Sequence, residues 1–236
     1  MTYQLKAQVD TITTQNLKLN ISKATSLKHS YVVFFTDSIG NRTTSADIWD
    51  REVSITKDQK GSSLYNFSWK WYNKDSLVLN ANGVCKFPSL EPQEYISYNK
   101  KKQKRVVHYE KNQANVEGKS RKTQRDTTYK VNVDLPAFVF PMDMEILPLL
   151  PIKKVGQEFA IPFYEPGSPR AAYYKCVVLG KEELKMTEET KVKCWLLKLI
   201  YSKDAYATFW ITDSSREIIK MQNPFKGGYR YKVKLY

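Results

Sequence analysis

The stretch Tyr65-Asn-Phe-Ser-Trp-Lys-Trp71 alternates large aromatic side chains with polar ones over seven residues. Alternation with a period of two is the pattern of a β-strand, because successive side chains of a strand point to opposite faces of the sheet. Aromatic side chains also fit a pleated, half-buried surface. The stretch therefore predicts a strand whose aromatic face packs inward and whose polar face meets water.

The same alternation occurs near both ends of the chain. Its apolar members are Tyr3, Leu5, Ala7 and Val9, then Leu17, Leu19 and Ile21, and finally Tyr229, Tyr231, Val233 and Leu235. In the last set the intervening residues are Arg230, Lys232 and Lys234. One face of each strand is thus predicted to pack against the core and the other to face water, as in an antiparallel sheet with one wet side.

Residues that favour turns separate these strands, which recur about every ten to fifteen residues. Glycine, proline, asparagine and aspartate mark loops because they adopt turn conformations readily. The predicted loops are Asp37–Arg42, Asn80–Gly83, Tyr164–Arg170 and Asn223–Gly228. No long stretch of helical periodicity lies between the strands, so the pattern disfavours a fold of alternating strands and helices.

Two short segments are predicted to be helical. Ser89–Tyr98 opens with Ser-Leu-Glu-Pro, and Met142–Leu150 lies within the sequence PMDMEILPLLPIKK, Pro141–Lys154. The second segment is too short and too interrupted by proline to span a bilayer. Its methionines, leucines and isoleucine cover most of its faces, so we expect a short plug that is buried on more than one side.

These patterns predict a mainly β protein with residues 1–236 in a single domain. The architecture we expect is one large, strongly curved antiparallel sheet, either a half-barrel or an open barrel, with one or two short helices on its concave side. A strongly bent sheet cannot fill its concave side with its own side chains alone. A lid that fits loosely would therefore leave space for an apolar ligand.

The chain is strongly basic, with a formal net charge of +14 and a pI near 9.5. Between Asn99 and Lys130, eleven Lys or Arg residues outnumber three acidic ones. We interpret this segment as a solvated basic face or as a contact with anionic lipid headgroups. The predicted contact residues are Lys100, Lys101, Lys102, Lys104 and Arg105. Nucleic acid is a less favoured partner, because basic and aromatic residues are not interleaved and no nucleic-acid-binding motif occurs.

Motifs for catalysis or cofactor binding are absent from the sequence. His29 and His108 lie in strand-like segments without a neighbouring nucleophile motif, and neither a zinc-protease motif nor a phosphate-binding loop occurs. We therefore expect no metal, no cofactor and no enzymatic activity. An active site of carboxylate or tyrosine side chains stays open as an alternative, because residues brought together only by folding leave no spacing pattern.

Three cysteines, Cys85, Cys176 and Cys194, are too few for a disulfide framework and show no CxxC spacing. Their simplest interpretation is three buried thiols. An alternative is that Cys176 and Cys194 face each other across a hairpin whose turn centres near Lys185. They would then form a disulfide in an oxidising compartment.

The aromatic face of the Tyr65–Trp71 strand has two interpretations. It packs in a filled core, or it forms the wall of a cavity on the concave side of the sheet. For the cavity, the predicted lining residues are Tyr65, Phe67, Trp69, Trp71, Leu147, Leu150, Trp195 and Trp210.

Three motifs in the C-terminal part of the chain point to a known family. They are the turn Leu150–Gly156 after an apolar segment, the strand end Val178–Glu182, and the segment Trp210–Asp213 that leads to Arg216. In this order they resemble the bacterial family named domain of unknown function 3108. The clearest likeness covers Met142–Tyr236.

The resemblance implies an exported envelope protein with a highly curved sheet. Such a sheet is similar to the half-barrels of lipoprotein-localisation carriers, which shelter acyl chains beneath short lid helices. Residues 1–10 lack the basic start and apolar stretch of a secretory signal. We therefore expect a location in the periplasm or cell envelope if a signal peptide was trimmed, and in the cytoplasm otherwise.

The leading functional hypothesis is a non-enzymatic envelope protein that binds or carries an apolar or amphipathic ligand, such as an acyl chain, in the concave sheet. Its implied partners are a lipid and an anionic membrane surface. A structural or interaction protein with a filled core is the first alternative. An enzyme with a carboxylate or tyrosine site is the second.

Overall fold

The computed structural model describes residues 9–119 and 126–236. Its regular structure is mainly β, as the alternating sequence pattern predicts. The strands are β1 (Val9–Thr11), β2 (Leu27–Thr36), β3 (Asp47–Lys57), β4 (Ser63–Asn73), β5 (Ser76–Lys86), β6 (Pro92–Asn99), β7 (Lys104–Glu110), β8 (Gln113–Lys119), β9 (Asp126–Asn132), β10 (Phe138–Val139), β11 (Glu158–Tyr164), β12 (Ala172–Lys185), β13 (Lys191–Ile200), β14 (Tyr206–Thr212), β15 (Ile218–Phe225) and β16 (Gly228–Leu235). The predicted strand residues Tyr3, Leu5 and Ala7 lie outside the described residues.

These strands form one 16-stranded sheet. Its order is β1-β11-β12-β13-β14-β15-β16-β2-β3-β4-β5-β6-β7-β8-β9, with β10 also paired to β11. The strands β1 and β10 lie parallel to β11, and the pairings along the rest of the path are antiparallel. The pairing of β16 with β2 joins the two halves of the chain. The prediction of a mainly β protein with one large, curved antiparallel sheet is confirmed.

One short helical segment lies on the concave side of the sheet. It consists of a 3₁₀ turn (Phe140–Met142), one α-helical turn (Asp143–Ile146) and a second 3₁₀ turn (Leu147–Leu149), and we call residues 140–149 the plug. A proline falls in the first turn of each 3₁₀ segment, where a missing backbone N–H breaks no helical hydrogen bond. A helix predicted at Met142–Leu150 is thus present, displaced by one or two residues.

Apolar burial holds the plug against the sheet. Met142, Ile146, Leu147 and the adjoining Leu150 are fully buried. They belong to the same continuous apolar cluster as strand residues such as Phe159. Removing each large apolar side chain from water contributes about 1.5–3 kcal/mol, so these contacts are the main force that seats the plug.

Side chains bridge the two edges of the sheet. Backbone hydrogen bonds between the described strands do not join these edges. The ring of Tyr109 (β7) meets the ring of Tyr164 (β11) edge-on, with 5.9 Å between centroids. Arg105 (β7) and Tyr129 (β9) donate hydrogen bonds to carbonyl oxygens of the loop 165–171, at 3.3 and 3.5 Å. We call these contacts the seam, and they make the molecule an open barrel with a bridged side.

The prediction of a helix at Ser89–Tyr98 is wrong. The segment is a turn followed by β6, in which Tyr95 and Ser97 are buried and the residues between and beside them are less so. Leu90 has a φ of 56°, a left-handed conformation that a right-handed helix cannot contain. The period-two burial of β6 therefore outweighs the helix-start pattern of Ser-Leu-Glu-Pro.

The prediction of a hairpin loop at Asn80–Gly83 is also wrong, because these residues lie within β5. Gly83 pairs with Phe67 of β4. A Cβ at Gly83 would lie 2.1 Å from Cε1 of Phe67, so the phenyl ring occupies the space of the missing side chain. The glycine serves the close approach of a ring within the sheet and not a turn.

The remaining predicted loops do connect strands, at 37–46, 165–171 and 226–227. The last is shorter than predicted, because β15 continues to Phe225. By contrast, no strand forms through Leu17, Leu19 and Ile21. Leu17 has a φ of 50° and is 59% exposed, and a 3₁₀ turn begins at Ile21.

All three cysteines are buried free thiols. Cys176 pairs with Leu199 across the β12–β13 hairpin, whereas Cys194 pairs with Glu182, so the two cysteines do not lie opposite each other. The turn falls at 186–190, later than the predicted centre. Cys194 also packs in a small cluster separate from the main core that contains Cys176. The alternative of a disulfide between them is therefore wrong.

The last strand, β16, turns inward the face that was predicted to meet water. Lys232 is only 4% exposed, and its neighbours Tyr231 and Val233 are less buried. Arg230 and Lys234 share the face of Lys232, because alternate residues of a strand point the same way. The concave interior beside β16 is therefore lined by cations and not by an apolar core.

Candidate functional site

A cavity of about 530 Å³ lies between the sheet and the first half of the plug. This volume falls within the range of roughly 300–1,000 Å³ that small-molecule sites occupy. Strands on both sides of β3 contribute alternate residues to its wall, and the plug contributes Phe140, Pro141 and Asp143. Its aromatic lining residues are Trp49, Trp69, Tyr95, Phe140 and Tyr201, and its cationic ones are Arg51, Lys104, Arg105, Arg230 and Lys232.

Two indole rings form the floor of the cavity. Trp49 (β3) and Trp69 (β4) are packed with 4.7 Å between ring centroids, as expected for inward-facing residues on neighbouring strands. Among the described residues, neither indole N–H has a hydrogen-bond partner, although both nitrogens are buried. An unpaired buried donor costs about 1–3 kcal/mol, so each can gain from an acceptor in the cavity.

Lys232 brings a buried ammonium group to the same floor. Its Nζ lies 4.1 Å from the centre of the Trp49 ring and donates a long hydrogen bond of 3.6 Å to Sδ of Met144. No carboxylate of the described residues forms an ion pair with it. Burial lowers the pKa of Lys232 to about 7, against an opposing effect of Asp143.

Asp143 is the acidic residue of the plug that lines the cavity. Its Oδ1 accepts the backbone N–H of Met144 at 2.8 Å, which fixes the carboxyl group at the start of the helical turn. Burial raises the pKa of Asp143, although Lys232 and Arg51 favour its charged form. A carboxyl and an amine with opposite pKa shifts thus share this space.

A buried ion pair fixes the plug above the cavity. Nε of Arg51 (β3) donates to Oε1 of Glu145 at 2.7 Å, and Nη2 donates to Oε2 of Glu145 and to the Pro141 carbonyl, both at 2.5 Å. The two side chains are 2% and 6% exposed. The guanidinium therefore binds the plug through Nε and Nη2, and its charge is paired with Glu145 instead of being free for a ligand.

The cavity opens at one end of the sheet. Asn99, Gln103 and Lys104 flank the turn between β6 and β7, and Glu165 and Tyr201 begin the loops to β12 and β14. Five cationic side chains and two acidic ones, Asp143 and Glu165, line the cavity as a whole. This balance favours an anionic group in a ligand.

The structure distributes the eight predicted lining residues over several places. Trp69 lines the cavity. Phe67, Leu147 and Leu150 are buried in the main core, which Trp195 also joins, and Trp71 packs against its margin. Tyr65 borders a separate space of about 60 Å³ beside the end of the plug.

Trp210 lies away from the concave side. It packs with Cys194 and Ile219 in the separate small cluster, while its sequence neighbours Phe209 and Ile211 belong to the main core. Adjacent residues of a strand point to opposite faces, so Trp210 lies on the outer face of the sheet. It has no part in the cavity that we describe.

The predicted anionic-surface residues fall into two groups. Lys100, Lys101 and Lys102 are exposed in the β6–β7 turn. Lys104 and Arg105 line the cavity. The basic segment thus reaches from the surface to the mouth of the cavity.

Sequence reasoning missed four residues of the cavity wall, which are Trp49, Arg51 and Lys232 of the sheet and Asp143 of the plug. The available indication was the placement of Arg51 two residues after Trp49 in a strand, which puts a cation and an indole on one face. The inward orientation of Lys232 had no such indication, because the other face of β16 is aromatic.

Within residues 9–119 and 126–236, no cluster of three His, Cys, Asp or Glu side chains is arranged to bind a metal ion. Over the same residues, no helix has the length and apolar character that crossing a bilayer requires.

Comparison with known proteins identifies a family but no activity. The model of the family described as protein of unknown function (DUF3108) matches residues 30–234, a longer part of the chain than the motifs after Met142. No curated protein matches the sequence.

Solved structures provide a likeness of fold. The beta-barrel-like protein of domain of unknown function DUF1849 from Brucella abortus is 8% identical with a TM-score of 0.50, over 89% of this chain and 96% of that one. LprF from Mycobacterium bovis is 10% identical over 94% of this chain and 90% of that one, with a TM-score of only 0.25. At such identities the first likeness concerns the fold alone, and the second supports no argument.

Proposed function

We propose that this chain, which belongs to the family of proteins of unknown function DUF3108, binds an amphipathic ligand in the cavity beneath the plug. The ligand we propose has an acidic head and an apolar chain, as a fatty acid does. The role is binding or carriage without catalysis, and we place it in the periplasm or cell envelope.

The observation that carries the proposal is the buried ammonium group of Lys232, with which no carboxylate of the described residues forms an ion pair. A buried charge costs several kcal/mol unless an opposite charge and hydrogen bonds compensate it. A ligand carboxylate at the floor would accept hydrogen bonds from Lys232 and from the unpaired indole N–H of Trp49. It would thereby pair the indole N–H that lacks an acceptor among the described residues, and it would give the ammonium group a stronger acceptor than the thioether of Met144.

The remaining wall suits an apolar chain. Leu79, Tyr95, Phe140 and Tyr201 surround the space between the floor and the mouth. Pockets for small ligands combine such apolar walls with a few polar groups that fix orientation. A chain extending toward the mouth would keep its acidic head on Lys232.

The direct test is titration of the purified protein with a fluorescent fatty acid. Replacing Lys232→Met should weaken binding about ten- to hundredfold, because a hydrogen bond to a charged group contributes about 1.5–3 kcal/mol. Trp69→Ala should also weaken it, since the indole forms part of the floor. Lys220→Met is the matched control, because the Lys220 ammonium lies 4.3 Å from the ring of Trp210 on the outer face.

The outcomes separate the hypotheses. Loss of affinity in Lys232→Met with an unchanged Lys220→Met supports the cavity site. Saturable binding that is equal in both variants and the wild type would contradict it. The absence of any saturable uptake would favour a structural protein with a filled core.

A second candidate function is catalysis, and one observation favours it. The pKa of Lys232 is lowered by burial to about 7, while burial raises the pKa of Asp143 in the same cavity. Perturbed pairs of this kind are common in active sites, and a lysine that is partly neutral at pH 7 can act as a base or nucleophile. Turnover of a long-chain ester or aldehyde that Lys232→Met abolishes would favour catalysis over simple binding.

A further inference from the structure

The hairpin turns of the sheet lie at two opposite ends, because antiparallel strands return the chain alternately to each. One end, which we call the basic rim, has its described connections at 37–46, 74–75, 100–103, 165–171, 201–205 and 226–227. The opposite end has hairpin connections at 58–62, 87–91, 111–112, 186–190 and 213–217. Cross-strand pairs such as Thr36 with Tyr229 and Tyr98 with Lys104 fix these ends.

The hairpin connections at the two ends differ in charge. Eight Lys or Arg residues and four acidic residues lie in the connections of the basic rim, whereas three basic and six acidic residues lie in those of the opposite end. The basic residues of the rim are Arg42, Lys74, Lys100–Lys102, Arg170, Lys203 and Lys226. The hairpin connections of the basic rim therefore carry a formal charge of +4, whereas the hairpin connections of the opposite end carry −3.

The most basic turn of the rim is internally braced. Oδ1 of Asn99 accepts the backbone N–H groups of Lys101 and Gln103, at 2.9 and 3.1 Å. Its Nδ2 donates to Oε1 of Gln103 at 2.7 Å. Lys102 has a φ of 58°, which tightens the turn. This network presents the three exposed lysines at a fixed position, so their charge acts on one place.

Apolar side chains project from the same rim. Ile39, at the tip of the β2–β3 loop, is 82% exposed. Phe225 is 41% exposed beside Lys226, whose ammonium lies 5.4 Å from the centre of its ring. Lysines next to exposed apolar and aromatic groups suit a membrane interface, where charges meet headgroups and the apolar groups enter below them.

The mouth of the cavity opens at this rim. Gln103, Glu165 and Tyr201 belong both to the cavity wall and to rim connections. A surface that met the rim would therefore meet the opening of the cavity at the same time.

We propose that the basic rim docks on an anionic phospholipid bilayer and brings the cavity mouth against the lipid surface. The docking surface consists of the lysines 100–102, Lys226 and the apolar tips Ile39 and Phe225. Its position at the mouth deepens the proposed function, because a lipid-derived ligand would pass between bilayer and cavity without crossing bulk water. The docking itself does not depend on the identity of the ligand.

Co-sedimentation with vesicles tests the docking in the full chain. Wild-type protein should bind vesicles of phosphatidylcholine with about 30 mol% phosphatidylglycerol and should not bind pure phosphatidylcholine, because anionic headgroups attract basic side chains. The triple variant Lys100→Gln/Lys101→Gln/Lys102→Gln should bind roughly a hundredfold more weakly, because each lysine near the surface contributes about fivefold. Ile39→Ser should lose about tenfold.

A matched control uses the opposite end. The triple variant Lys57→Gln/Lys60→Gln/Lys111→Gln removes the same charge from exposed positions near the opposite end, and it should bind vesicles like the wild type. Equal losses in both triple variants would show attraction by net charge alone and would overturn the rim. Tight binding of a single-stranded oligonucleotide without binding to anionic vesicles would overturn the membrane as the partner.

The two proposals fail separately. Lys232→Met should lose fatty-acid affinity and still bind vesicles. The rim variant should lose vesicle binding and still take up a soluble fatty acid. A rim variant that binds vesicles normally would contradict the docking surface, even if the cavity site is correct.

Discussion

At the scale of single residues, Lys232 has the largest consequence for function. A lysine that alternates with Tyr231 and Val233 is predicted to be solvated, because the apolar face of a strand normally turns inward. In the structure the lysine face of β16 turns inward instead, since the interior beside β16 is a cavity with a polar floor. Burial then lowers the pKa of Lys232 to about 7, which makes its charge sensitive to pH near neutrality.

Fatty-acid binding should therefore depend on pH through Lys232. The pKa of Lys232 is about 7 in the free protein, and a bound carboxylate would raise it, so above pH 7 binding must take up a proton. Affinity should fall as the pH rises from 7 to 9, with a limit of about tenfold per pH unit, and should be level below pH 7. The charged groups that face Lys232 are Asp143, Arg230, Arg51 and Glu145.

The measurement is the fatty-acid dissociation constant between pH 6 and 9 for the wild type and for Lys232→Met. The variant should show a flat profile. An identical pH dependence in both proteins would assign the titration to another group and would remove Lys232 from the site.

Gly83 shows what sequence patterns cannot convey at this scale. Asn-Ala-Asn-Gly predicts a turn because glycine adopts turn conformations readily. In the sheet, Gly83 is instead the place where the Phe67 ring lies. Only the pairing of β4 with β5 makes this visible, and pairing is a long-range property that single-sequence patterns do not contain.

At the scale of elements, the plug was predictable in place and character. Its prolines limit the helical turns, and its apolar residues on most faces require burial on several sides. What the sequence did not indicate is its anchor. Glu145 looks like a surface carboxylate in sequence, yet it accepts two hydrogen bonds from Arg51, 94 residues away in the chain.

The anchor predicts a strong energetic coupling. Arg51→Met should lower the free energy of unfolding by about 3–5 kcal/mol, because it leaves Glu145 as an uncompensated buried charge. Glu145→Met should cost a similar amount for the converse reason. The double variant should be much less destabilised than the sum of the two, since it removes both charges together.

Urea unfolding at pH 7 of the wild type, the two single variants and the double variant provides the four free energies of unfolding for this double-mutant cycle. The pair Lys86 and Glu91, which is 52% and 42% exposed, is the matched control. Its cycle should give a coupling of at most about 1 kcal/mol. Additive effects at Arg51 and Glu145 would mean that apolar burial alone seats the plug.

At the scale of the whole molecule, alternation and turn chemistry were enough to predict one large curved sheet with a helical segment on its concave side. These sequence patterns do not predict features that depend on which strands pair with each other. The inward face of β16, the polar floor and the separate position of Trp210 all follow from pairings between distant parts of the chain. The grouping of the basic turns at one end follows in the same way, because the turns of the two ends alternate along the chain.

The seam is a further property of the whole, and it yields a test of how the barrel is completed. Tyr109 carries a buried hydroxyl that, among the described residues, has no hydrogen-bond partner. Its ring packs on Tyr164 across the two edges of the sheet.

Tyr109→Phe keeps the ring and removes the unpaired hydroxyl, so stability should be unchanged or slightly higher. Tyr109→Ala removes the ring and should cost about 3 kcal/mol in urea unfolding. Hydrogen exchange should then accelerate in β7–β9 and in the loop 165–171, while β13–β15 stay protected. If Tyr109→Ala instead accelerated hydrogen exchange equally in all strands, the two edges of the sheet would be held by the common core and the seam would contribute no local closure.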